Sequence, residues 1–152
     1  SSMTSSCADC GHDFSNIAAV SSAQKLHDQL QEIENTERNR DKKTGFSLHS
    51  KIAGDTVAND QMEETIKKRK ASIISSFPIP NTKEDILEFL SMAVPEAGKK
   101  PNFLMRLTAA GTLHKAWVGK AEQIVMKARF SMKEDKSTLA EVNSYAKILG
   151  IK

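Results

Sequence analysis

Cys7-Ala8-Asp9-Cys10-Gly11 sets two thiols two residues apart and follows them with a glycine. A small turn of that kind lets two thiolates converge on one cation, as in a zinc knuckle. A structural zinc takes four ligands, and the chain has no further cysteine. The missing pair would come from His12 with another side chain, from two cysteines of an upstream knuckle, or from the same unit on a second molecule. Ser1-Ser2-Met3 reads as a cloning remnant, which favours the upstream knuckle. The plainer reading is a pair of free thiols, or a local disulfide, at a frayed end. Redox chemistry needs the motif between a strand and a helix, and no strand pattern precedes it.

Phosphate binding is the second chemistry to weigh. Lys67, Lys68, Arg69 and Lys70 are consecutive, and Lys120 and Lys127 could join them from a neighbouring helix. Clustered cations release counterions from phosphate, but four consecutive helical residues point around most of the circumference. Stacking aromatics are scarce, and Trp117 falls in an apolar stripe where core burial explains it. Catalysis finds less support. There is no phosphate-cradling glycine loop, no Gly-x-Ser-x-Gly turn and no His-Glu-x-x-His pair. His12, His27, His49 and His114 are dispersed, and Glu84, Asp85 and Glu88 cluster at a helix start where capping accounts for them. The expectation is a protein that is not an enzyme.

Such groups need a scaffold, and 152 residues with 39% hydrophobic content can build one modest core. Lys and Arg against Asp and Glu run 6 to 9 over residues 1–60, 7 to 6 over 61–100, and 9 to 4 thereafter. The basic last third suits an acidic partner, a membrane surface or nucleic acid, and equally a solvated helical face. Close-spaced cysteines favour a reducing compartment, hence the cytoplasm. No apolar run approaches the roughly 20 residues that span a bilayer, so membrane insertion is not expected.

The periodicity is helical throughout. Ala23, Leu26, Leu30 and Ile33 form one stripe on a helix capped by Ser21 or Ser22, and the stripe dies at "ENTERNRDKK", where the helix would project or fray. Residues 44–60 carry two glycines and no sustained period, and read as a linker. Met62, Ile66, Ile73 and Ile74 mark a helix that "FPIP" stops. Thr82 or Asn81 caps the next, with Glu84 and Asp85 in its first turn and Ile86, Phe89 and Leu90 on its buried face. A stripe from Leu104 through Leu107, Trp117, Ala121, Ile124 and Ala128 to Met132 predicts one long helix, in which Gly111 and Gly119 permit close approach or a bend. A last helix carries Leu139, Val142 and Tyr145 and ends at Gly150.

"CADCGHDFSNIAAVSSAQKLHDQL", "KASIISSFPIPNTKEDILEFLSMAVPEAG" and "AWVGKAEQIVMKARFSM" together resemble bacterial zinc-ribbon proteins with a helical carboxyl-terminal region of uncertain function. The resemblance implies that Cys7 and Cys10 are zinc ligands of a second knuckle. The first knuckle has no counterpart in the chain, and no substrate is implied.

The expected fold is therefore all-α: a tag remnant and half knuckle over 1–15, an amphipathic helix over 16–43, a linker over 44–60, and a four-helix domain over 61–152. The expected function is that of an adaptor or scaffold that binds a protein partner or itself. Leu26, Leu30 and Ile33 form the expected contact face, because a single amphipathic helix beside a linker must bury that stripe on its own domain, a second copy or another protein. Nucleic acid, held by Lys67, Lys68, Arg69, Lys70, Lys120 and Lys127, is the alternative partner.

Overall fold

Ser21, Thr82, Asn102 and Asp135 each offer a side-chain oxygen to a backbone N–H three residues on, at 3.0, 3.2, 2.8 and 2.9 Å. These caps satisfy amides that a helix start leaves without partners. In the computed structural model, which describes residues 21–44, 55–98 and 101–152, they open four of six helices. The helices are α1 (Ser22–Thr44), α2 (Asp55–Ser76), α3 (Lys83–Ala97), α4 (Phe103–Arg106), α5 (Ala109–Ser131) and α6 (Lys136–Leu149). No strand occurs among the described residues, so the all-α expectation holds at that level. None of these helices is long and apolar enough to cross a membrane.

α5 is the central element and packs against α2, α3, α4 and α6. Its inward face, Trp117, Ala121, Ile124, Val125 and Ala128, repeats at the three- and four-residue spacing of a helix stripe and is almost fully buried. Phe89 of α3 meets Trp117 with ring centroids 5.8 Å apart and planes at 53°, and Phe77 stacks on Phe89 at 6.5 Å. Such aromatic geometry stabilises beyond what the buried area alone contributes. α6 closes the core with Val142, Ala146 and Leu149, then stops at Gly150, whose φ of 71° suits glycine; Ile151 N–H donates to Ala146 O at 2.8 Å.

Three expectations are corrected here. First, α1 is no separate appendage. Leu26 has no exposed surface and belongs to the same core as Ile74 and Phe89, with Leu30 packed against it. The Ser22 amide and hydroxyl donate to the Asp85 carboxylate at 3.2 and 2.9 Å, tying the start of α1 to the start of α3. The polar half of α1 holds to α2 by charge: Lys70–Glu34 at 2.8 Å, Arg69–Glu37 at 2.5 Å and Arg38–Glu63 at 3.0 Å. Partner numbers fall along α2 as they rise along α1, so the two helices run antiparallel. Ion pairs thus replace the apolar stripe where it ends.

Second, α1 reaches Thr44 and α2 already begins at Asp55, so both ends of the segment expected as a linker over 44–60 are helical. Third, the single helix expected from Leu104 onward is broken. Leu107 and Thr108 N–H groups bond back only three residues, to Leu104 O and Met105 O, and Thr108 is extended at φ −105°, ψ 172°. α4 then folds against the first turn of α5. A Cβ at Gly111 would lie 2.7 Å from Arg106 Cα and 2.8 Å from Arg106 O, so only glycine admits this approach. Where four helices were expected, the described residues form five, α2 to α6.

Candidate functional site

The residues singled out by sequence are dispersed by the fold, and most are engaged. Cys7 and Cys10, the expected zinc ligands, lie outside the described residues, as do His12 and His49. Among the described residues, no group of three His, Cys, Asp or Glu side chains could hold a metal ion. Leu26 is buried and Leu30 and Ile33 are partly buried, so the stripe expected to meet a partner is covered by the chain's own α2 and α3.

The cations are similarly answered. Lys70 pairs with Glu34, which the Lys70 ammonium and then Arg38 hold below its usual carboxylate pKa. Arg69 Nη1 lies against buried Glu37 Oε1, with Arg40 at 3.6 Å, a charge contact without hydrogen-bond alignment. Lys68 pairs with Glu64 at 3.3 Å, and only Lys67 of the run makes no such contact among the described residues. Lys120 is buried beneath the α2–α3 connection, where its ammonium donates to Phe77 O at 2.7 Å. Burial pushes its pKa down, because the charged form loses water. Lys127 donates to Pro80 O at 2.9 Å and also to Asn81 Oδ1. Both lysines clamp the carbonyls of "FPIPN" just past the carboxyl end of α2, where a helix end is negative. Neither points a free charge at a phosphate.

A different face carries the uncovered chemistry. An open trough of about 730 Å³ runs between the ends of α3 and α6, α4, and the outer face of α5. Arg106, Lys115 and Lys147 line it, with Glu122 as the one carboxylate among its described lining residues. None of these three cations forms an ion pair among the described residues. His114 also lines it, half-buried, with Nδ1 3.4 Å from Glu96 O. Its apolar surfaces come from Val118, Ile148 and Leu149.

At one end stands α4, a helix with no buried residue; its Phe103 and Leu104, and Leu107 just past its end, are each more than 70% exposed. Leu104 and Leu107 were expected in the core stripe; the break at Thr108 turns them outward instead. Beyond the other end, Met126 and Phe130 are 68% and 77% exposed, with Lys133 Nζ 4.9 Å from the Phe130 ring centre. Lys115, Gly119, Glu122, Met126 and Phe130 recur at spacings of three and four, so they share one side of α5 over about 22 Å.

Gly119 lies mid-trough, and its role differs from that of Gly111 in the same helix. A Cβ added at Gly119 meets no atom within 4 Å. Glycine inside a helix costs about 1 kcal/mol relative to alanine, and here no neighbour among the described residues demands it. Sequence spacing signalled both glycines, but Arg106 and Lys147 come to the trough from other helices and carried no local mark. No family model, curated protein or solved structure matches this chain.

Proposed function

We propose that this chain is a non-enzymatic helical adaptor that docks a protein partner along the outer face of α5, with α4 as its apolar anchor. The observation that carries this reading is the exposure of Phe103 and Leu104 on a helix that buries nothing of its own, together with Leu107, the residue that caps it. Clustered large apolar side chains on a surface mark interaction sites, whereas scattered single ones do not. Aromatic and aliphatic anchors beside a polar rim also match the anatomy of protein interfaces. In this reading, Cys7 and Cys10 supply two thiolates to a zinc whose other two ligands come from elsewhere.

The nucleic-acid alternative is weaker on the same grounds. Of Lys67, Lys68, Arg69, Lys70, Lys120 and Lys127, five already meet a carboxylate or a carbonyl. Affinity capture on the immobilised chain, from cells of the species that carries it, tests the proposal. The Phe103→Ser/Leu107→Ser variant should keep its thermal midpoint and lose a stoichiometric protein that the native chain retains. Equal retention by both would refute α4 as the anchor.

A further inference from the structure

The trough on α5 also carries information about the chemistry of what lies in it. We propose that its occupant is an amphipathic helix of a protein partner that bears carboxylates along one edge and a small residue opposite Gly119. This assignment rests on the docking reading above and adds the character of the partner.

Charge supplies the first support. Arg106, Lys115 and Lys147 approach the trough from three different helices, and Glu122 is the only opposing carboxylate among its described lining residues. Like-charged side chains gathered around a low-dielectric floor focus the field on an entering anion. Shape supplies the second. The floor is apolar at Val118, Ile148 and Leu149, and the exposed side chains at either end, Leu104 and Met126, fit the spaced anchors of a helix laid in a groove. A strand would instead seek a sheet edge, and the described residues contain none.

Gly119 supplies the third, independent of the other two. Its missing side chain serves no contact among the described residues, since a Cβ would meet none of their atoms within 4 Å. Gly111 shows the contrast, with Arg106 backbone atoms filling its side-chain space. A glycine at an open helix position leaves room for backbone to approach, and close helix approach is what small residues permit.

Nuclear magnetic resonance titration of the full chain tests the assignment with three probes. The first is a synthetic helix of alanine and leucine with glutamates on one edge, the second its lysine counterpart, and the third a single-stranded oligonucleotide. The acidic helix should shift the amides of Lys115, Gly119 and Lys147, with affinity that falls as salt screens the contacts. The lysine helix should leave them unmoved. Gly119→Trp should weaken the acidic helix at least about tenfold, and Gly119→Ala less. Should the tryptophan variant fail to fold, Lys115→Glu/Lys147→Glu reads the same contact through surface charge alone. Equal shifts with the lysine helix, shifts only with the oligonucleotide, or unaltered affinity in the folded variants would each overturn the assignment. If the acidic helix does not bind while capture still depends on Phe103 and Leu107, the partner chemistry is wrong and the docking face stands. Loss of that dependence as well removes the docking reading itself.

Discussion

Lys68, Arg69 and Lys70 on α2 each meet a carboxylate, whereas Arg106, Lys115 and Lys147 around the α5 trough meet none among the described residues. The α2 cluster is conspicuous in sequence and is largely internal wiring, since it fastens the polar half of α1 where apolar contacts run out. The trough cations are far apart in the chain and become a cluster only when α4, α5 and α6 assemble. Consecutive charge is therefore a poor guide to available charge. What decides availability is whether the fold has already supplied a counter-ion, and α1 supplies two for α2.

The sharpest way to break this contrast is at the root of α1. Leu26→Ala removes a fully buried side chain and should cost about 2–5 kcal/mol, read as a lower urea midpoint for the whole chain. A loss below about 0.5 kcal/mol, typical of surface positions, would mean that α1 does not share the core.

Lys120 sharpens the comparison next, because it is a cation the core has absorbed. Its pKa is lowered by burial, so between the folded value and 10.5 the unfolded chain binds more protons. Stability from this group therefore rises with pH across that window. Lys120→Met should remove that rise, leaving a flatter alkaline stability profile than the native chain. Parallel profiles would contradict the burial of the ammonium.

The ion pairs between α1 and α2 come after. Glu34 has a lowered folded pKa, so its contribution is fully present above 4.5 and is lost as pH falls through the folded value. Its side chain is 39% exposed, and screened pairs of this kind contribute about 0.2–1 kcal/mol. Glu34→Gln should therefore lower stability slightly at neutral pH and match the native chain in acid, as chemical denaturation at each pH would show. The smallest effect belongs to Leu104→Ser, within about 0.5 kcal/mol, because that side chain touches so little of the fold.

The helical fold was legible where the signals are local. Thr82 with Glu84 and Asp85, the "FPIP" stop and the Gly150 terminus all act through neighbours within a turn, and each marks a real helix end. The docking of α1 is not legible locally, because the partners of its charged half lie 25 to 36 residues away in sequence, on α2. The break before α5 was equally hidden: periodicity runs on through Leu107, and only the packing of Arg106 over Gly111 shows why the chain turns. The candidate site was least legible of all, since Gly119 has meaning only beside the emptiness around it.

The central claim is that α4 and the outer side of α5 form a docking face the fold itself does not need. Site-specific photo-cross-linking in living cells tests it most directly, with the photoreactive residue at 104 in one variant and at 64, on exposed α2, in another. The account predicts a discrete protein adduct from position 104 that Gly119→Trp abolishes, with nothing comparable from position 64. Matching adducts from both positions, or none from 104, would contradict it.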